Sequence, residues 1–434
     1  MAVYIADYED CIVLLLNCDK SDYAQRSGHL EERIKLLEQG DRSSPWYLFC
    51  KGGVYLRWAI INMRFGEQYQ SALKFRKSFA LLKNNRELFP QFEYNNTFAG
   101  LQEAVIGAIP GSYKWLAAIF GMNGSVKNGT EKLSSFLGGH NVNDPMYTET
   151  VLYYLYTRFY LLNEQKEVWN YLSGAHFPTR DNLLNTFVKV NLALDYRKSD
   201  TAIETLTTAA SFSDYNKFPV FDYQMGLALL TKQDTNCNKY FRQYLYKTKS
   251  DIYIKDCWQK MALSSYISGN MGQAIFCRGQ IKTGGSTRLD VDKQAHKFAE
   301  SKTWPQRKLL QARLVIEGGY IKEAFTILSS LDTASLTDPA DKAEYFFRYG
   351  RVYEESGNDI QALGAYQNAI KTGNKRHEQF AARAALQMGR IYERQGLKDL
   401  AMSRYQECLN MPAHDFQNSI DQLAKAGINR IEGK

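Results

Sequence analysis

Residues 343–374 read AEYFFRYGRVYEESGNDIQALGAYQNAIKTGN, and residues 382–412 read ARAALQMGRIYERQGLKDLAMSRYQECLNMP. Laid over each other, Gly350 falls on Gly389, Tyr353 on Tyr392 and Gly357 on Gly396. Ala362 falls on Ala401, Tyr366 on Tyr405 and Ala369 on Cys408, all at an offset of 39 residues. Each position has a physical job. Gly350 and Ala362 are small where two helices cross closely, and Tyr353 and Tyr366 fill the space beside them. Gly357 suits the left-handed residue that ends a helix. Asn358 or Asp359 then caps the next helix. The unit is a helical hairpin of about 34 residues.

These residues resemble the tetratricopeptide repeat family. Its pattern is bulky at position 4, small at 8, Tyr at 11, small at 20, aromatic at 24 and Ala at 27. Phe346, Gly350, Tyr353, Ala362, Tyr366 and Ala369 match it throughout. The following unit departs at Ala385 and Cys408. The resemblance implies an all-α, right-handed solenoid of about eight hairpins. It also implies that the first helix of each hairpin lines a concave face.

The pattern weakens toward the N-terminus. Small residues Val190, Gly226, Ala262, Ala312, Gly350 and Gly389 are spaced 36, 36, 50, 38 and 39. The long interval holds an insertion near 283–302, expected as a loop or an extended helix pair. Further upstream, Ser44-Pro45 reads as a helix start. Residues 46–65 and 69–83 read as a hairpin turning at Gly66, with Ala72 at its small position. Pro145 is expected to open a helix over 146–162, paired with 164–172. Residues 107–137 carry Pro110, Gly111, Gly121, Gly124 and Gly129, which break the period. Together with SSPWYLFCKGGVYLRWA at 43–59, that segment resembles a subfamily of bacterial tetratricopeptide-repeat proteins common in Bacteroidetes. The domain reading is one solenoid over 1–434. It divides into divergent hairpins over 1–182, repeats over 183–415 and a capping helix over 416–434. The last shows apolar Phe416, Ile420, Leu423, Ala424 and Ile428 at helical spacing.

Composition agrees with this reading. The 434 residues are 44% hydrophobic and 23% charged, which excludes a disordered chain. The 29 tyrosines are expected mainly between packed helices. Fifty-four Lys and Arg against 46 Asp and Glu give a net charge of +8. That is too mild and too dispersed to suggest nucleic-acid binding. Seven cysteines stand at wide spacings without a Cys-x-x-Cys, so neither disulfides nor zinc is expected. No stretch approaches the roughly 20 apolar residues of a membrane span. Met1 is followed by Asp7, Glu9 and Asp10 rather than a secretory signal. The expectation is a cytoplasmic protein. A periplasmic or membrane-associated one follows if a signal is missing upstream, since the helical pattern is already under way at Ala6.

No phosphate-binding loop, nucleophile elbow or His-Glu-x-x-His occurs, so an enzyme, a cofactor and a metal are not expected. Positions 2, 5, 9 and 12 of the repeat point into the concave face, as the resemblance implies. Position 9 falls on Arg313, Arg351 and Arg390, and position 5 on Leu309, Phe347 and Leu386. Position 2 falls on Glu344 and Arg383, and position 12 on Ile316, Glu354 and Glu393. An arginine column beside an apolar column suits an acidic protein or peptide segment. The competing reading pairs Arg313 with Glu317, Arg351 with Glu355 and Arg390 with Glu393 along the helix surface. Upstream, Phe187, Leu194, Tyr223, Leu227, Leu230, Leu263 and Tyr266 occupy the same columns. They are expected as core of a closed superhelix. One alternative is a membrane-associated assembly adaptor using segment 107–137, through Trp115, Ile119 and Phe120, and a further one is an enzyme with an unrecognised site.

Overall fold

A computed structural model describes residues 2–109 and 122–433. Among the described residues every regular element is a helix. The one β-type contact is an isolated antiparallel bridge between Asp19 and Ser250. The chain opens with α1 (Ala2–Asn17), α2 (Lys20–Arg26) and α3 (His29–Glu38). Helix pairs follow: α4 (Pro45–Phe65) with α5 (Gln68–Leu88), and α6 (Asn95–Gly107) with α7 (Val126–Gly139). Next come α8 (Tyr147–Tyr156) with α9 (Gln165–Ser173), α10 (Leu183–Asp195) with α11 (Ser199–Ala209), and α12 (Val220–Thr231) with α13 (Cys237–Lys247). Helix α14 (Ile254–Ile267) pairs with α15 (Met271–Gln280), and α16 (Asp290–Glu300) stands alone. The last pairs are α17 (Arg307–Gly318) with α18 (Ile321–Ser329), α19 (Pro339–Glu355) with α20 (Asp359–Gly373), and α21 (Phe380–Arg394) with α22 (Lys398–Leu409). Helix α23 (Gln417–Glu432) closes the array, and the fold is an all-α solenoid of stacked, tetratricopeptide-like hairpins.

The expected caps form. Ser44 accepts from Trp46 N–H with Pro45 in the first turn of α4. Gly357 adopts φ +75°, and Asn358 accepts from Gln361 N–H at the start of α20. The crossings are as tight as the repeat demands. A Cβ at Gly350 would lie 2.4 Å from the Tyr366 ring, and one at Gly389 2.5 Å from Tyr405. Both rings are fully buried.

Three expectations need correction. Ala72 is exposed, and Ser71 and Ser78 are the small residues against α4, donating to the Ala59 and Gly52 carbonyls at 2.7 Å. The helix expected over 146–162 becomes α8 followed by a π-helical turn, Thr157–Leu161. The insertion near 283–302 holds α16, whose buried Asp292 accepts the backbone N–H groups of Tyr253 and Asp256 at 2.8 and 3.1 Å. All seven cysteines are free and buried. No helix among the described residues is long and apolar enough to cross a membrane.

The array curls tightly onto itself. At the α17–α18 turn Gly319 passes so close that a Cβ would sit 2.1 Å from the Arg197 carbonyl oxygen. Its φ of +89° also requires glycine there. Nearby, Tyr320 donates to Asp200 at 2.8 Å, and Gln233 donates to the Gln311 carbonyl at 3.4 Å. The end of α4 likewise touches the turns around α14. Arg64 donates to Tyr253 at 3.1 Å, and Lys20 pairs with Asp251 at 2.7 Å. This curl puts Tyr223, Leu230 and Leu263 into one large core, with Phe187, Leu194, Leu227 and Tyr266 half-buried against it.

The N-terminal hairpins are joined by buried ions. Arg57 is completely buried. Its guanidinium donates to Glu149 at 2.8 and 2.6 Å and to Asp7 at 3.1 Å. Asp7 also accepts from Trp58 at 3.0 Å and from Arg33 at 3.1 Å. Tyr4 and Tyr153 donate to Glu149. Thus α1, α3, α4 and α8 share one satisfied network.

Candidate functional site

The curl brings the first helices of successive hairpins around one cup of about 430 Å³. Leu194 and Asp195 at the end of α10, with Arg197 just beyond, form one wall together with Leu227, Leu230 and Thr231 of α12. Lys260 of α14 and Leu314, Ile316 and Glu317 of α17 form the floor between the walls. The opposite wall is Phe347, Arg348 and Arg351 of α19 and Arg383, Gln387 and Arg390 of α21. Six cations and two carboxylates line this cup, and four of the cations are ion-paired: Arg197 with Glu355, Lys260 with Asp256, Arg348 with Glu344 and Arg351 with Glu354 and Glu355. Arg348, Arg351, Arg383 and Arg390 share one stripe because positions three and four apart lie on one helix face. Hairpin stacking then sets the α19 and α21 stripes side by side.

The sequence-selected residues separate into three groups. Arg351 and Arg390 line the cup, as does Phe347. Leu309 and Leu386 belong to the packed core, at 0% and 4% exposure. The apolar column is thus mostly interior, because α17 and α21 turn those residues toward their own hairpin partners. Arg313 lies apart from the cup and pairs with Glu317 at 3.8 Å. Glu354 does not face the cup as a free carboxylate. It accepts from Arg351 at 3.0 Å and from Tyr366 at 2.6 Å. Trp115, Ile119 and Phe120 lie outside the described residues.

The pairing of the arginines decides the site's character. Arg348 donates to Glu344 at 3.0 and 2.7 Å, and Arg351 donates to Glu355 at 2.6 Å. Burial pulls the Arg351 pKa down, but Tyr366, Glu354 and Glu355 more than offset it and raise it above the ordinary value. Arg390 stands 39 residues on from Arg351, and Glu393 stands 39 on from Glu354. Yet Arg390 does not pair with Glu393, contrary to the surface-pairing expectation. Arg430 of α23 takes that carboxylate at 2.8 and 2.9 Å, and Tyr405 donates to it at 2.5 Å. Arg390 is left with the Gln387 side-chain oxygen at 3.2 Å. Arg383 donates to the Gln379 amide oxygen and stacks near Phe416. Among the described residues, neither has a carboxylate within ion-pair distance.

Their titration reflects this. Burial, then the neighbouring Arg348, lowers Arg383 to about 10. Burial lowers Arg390 too, with Arg351 and Arg430 adding repulsion. Across the cup, burial and then Arg351 lower Arg197. Arg197 pairs with Glu355 at 2.6 Å, while its Nε is buried without a partner. Sequence reasoning missed Arg197, Lys260, Arg348 and Gln387. For Arg348 and Gln387 the signal was present, since both lie within one turn of the chosen positions. Arg197 and Lys260 come from hairpins much earlier in the chain and carry no such signal.

A second hollow, larger and shallower at about 840 Å³, lies over α3 and α4. Glu31, Glu38 and Glu67 line it together with Lys35 and Lys74, so it carries charges of both signs.

No family model and no curated protein matches this chain. Among solved structures, the tetratricopeptide repeat domain of P58(IPK) is 10% identical over 99% of this chain and 97% of that one, with a TM-score of 0.24. Yeast Tom70 is 12% identical over 98% of this chain and 97% of that one, with a TM-score of 0.28. The fold rests on the helix pairing described above.

Proposed function

We propose that this protein is a non-catalytic scaffold that receives an acidic segment of a protein or peptide partner at its concave face. The observation that carries the reading is the cationic cup formed by the first helices of successive hairpins, with Arg383 and Arg390 left without acidic partners. What lines it is suited to recognising oxygen anions: guanidiniums, an ammonium, an amide and an apolar base. A cytoplasmic setting and kinship with the bacterial tetratricopeptide-repeat subfamily belong to the same proposal.

The test is affinity capture with three baits: the unaltered chain, Arg383→Glu/Arg390→Glu, and Lys322→Glu/Lys371→Glu on the exposed outer helices. Loss of a reproducible partner with the first double variant only supports the concave face. Equal capture by all three removes it.

A further inference from the structure

We propose that the cup is also a binding site for a free, compact oxyanion carrying two or more negative charges, clamped by Arg383 and Arg390 from one wall and Arg197 from the other. This goes beyond the scaffold reading and does not depend on it.

The first argument is the unspent hydrogen-bonding capacity. A guanidinium has five N–H donors in a planar fork. Among the described residues Arg383 and Arg390 each use theirs on a glutamine oxygen, and the Arg197 Nε has no partner. Arg383, Arg390 and Arg197 are half-buried, and cations partly removed from water normally acquire a carboxylate, because losing hydration is costly. Here Glu393, which matches the repeat position of Glu354, is held by Arg430 and Tyr405 instead, and Glu317 and Glu354 act on Arg383 and Arg390 only from beyond ion-pair distance.

The second argument is the enclosure. The volume of about 430 Å³ lies within the usual range of small-ligand pockets. The walls are opposed, and the contacts at Gly319, Tyr320 and Gln233 close the curl beside them. A compact anion can accept from both walls at once. Forked donors of this kind match phosphate and carboxylate oxygens equally. The shared chemistry is thus a multiply charged oxyanion, either a phosphate compound or a polycarboxylate.

Titration calorimetry at constant ionic strength would use pyrophosphate, citrate and a capped hexaglutamate peptide as probes. The proteins are the unaltered chain, Arg383→Gln/Arg390→Gln and Arg390→Lys. Saturable one-to-one binding of pyrophosphate or citrate is expected, and the tighter of the two names the source. The double variant should bind about ten- to a hundredfold more weakly. Arg390→Lys should retain an intermediate affinity, since it keeps the charge and loses the fork. Circular dichroism establishes that each variant is folded. Absence of saturable binding by both small anions overturns the proposal, as does equal affinity in the double variant. Binding of hexaglutamate alone also overturns it while leaving the scaffold reading in place.

Discussion

Two arginine clusters in this protein are packed on opposite terms. Arg57, among the N-terminal hairpins, is fully enclosed and meets Glu149 and Asp7, with tyrosines completing the carboxylates' bonds. Burial opposes its charge, but Glu149 and Tyr4 overcome that and raise its pKa well above the ordinary value. Arg383 and Arg390, at the other end of the chain, are half-buried among neighbouring helices with no carboxylate at ion-pair distance among the described residues, and both pKa values fall. The first cluster ties helices together. The second, on the proposed reading, holds charge ready for a ligand. Burial of a cation does not by itself distinguish glue from site; the partner inventory does.

The contrast can be broken from the glue side first. Arg57→Ala should destabilise the protein by about 3–5 kcal/mol in urea unfolding, because Glu149 and Asp7 would remain buried without their cation. A loss below about 1 kcal/mol would mean that the network is no more than decoration. Next in size are the crossings that place the cup's walls. Gly350→Ala and Gly389→Ala should each cost about 1–3 kcal/mol, since the new methyl groups meet the buried Tyr366 and Tyr405 rings. Similar losses in thermal melts would show that the two repeats are packed alike, whatever their arginines do.

Smaller effects sharpen the role of α23. Arg430→Gln should change stability by about 1 kcal/mol or less, because this ion pair is partly exposed. Its larger consequence is on charge: Glu393 becomes available to Arg390, and oxyanion affinity at the cup falls. Unchanged affinity would show that Arg430 does not keep Arg390 open. The least effect belongs to Arg313→Gln, within about 0.5 kcal/mol and without change in anion binding. A clear loss of binding there would restore Arg313 to the site.

The fold was legible where its determinants are local. Gly357, Asn358, Gly350 and Tyr366 each act within one hairpin, so a single 34-residue unit carries the crossing, the turn and the cap. The site was legible only in part, for a geometric reason. Arg351 and Arg390 occupy the same repeat position, which the sequence reveals. Whether each is neutralised depends on the helix packed next to it. For Arg390 that helix is α23, which claims Glu393 through a residue 37 positions away. Leu309 and Leu386 looked like groove wall from register alone, but each packs into the core of its own hairpin. Arg197 joins the cup across a contact with residues more than a hundred positions further along the chain, which no local pattern encodes.

The most direct measurement is the unfolding free energy of Arg383→Gln/Arg390→Gln without added anions, against the unaltered chain. If the two guanidiniums are kept for a ligand, their removal relieves repulsion and desolvation, and stability should rise by about 0.5–2 kcal/mol. A fall in stability would contradict this, because it would make Arg383 and Arg390 structural residues like Arg57.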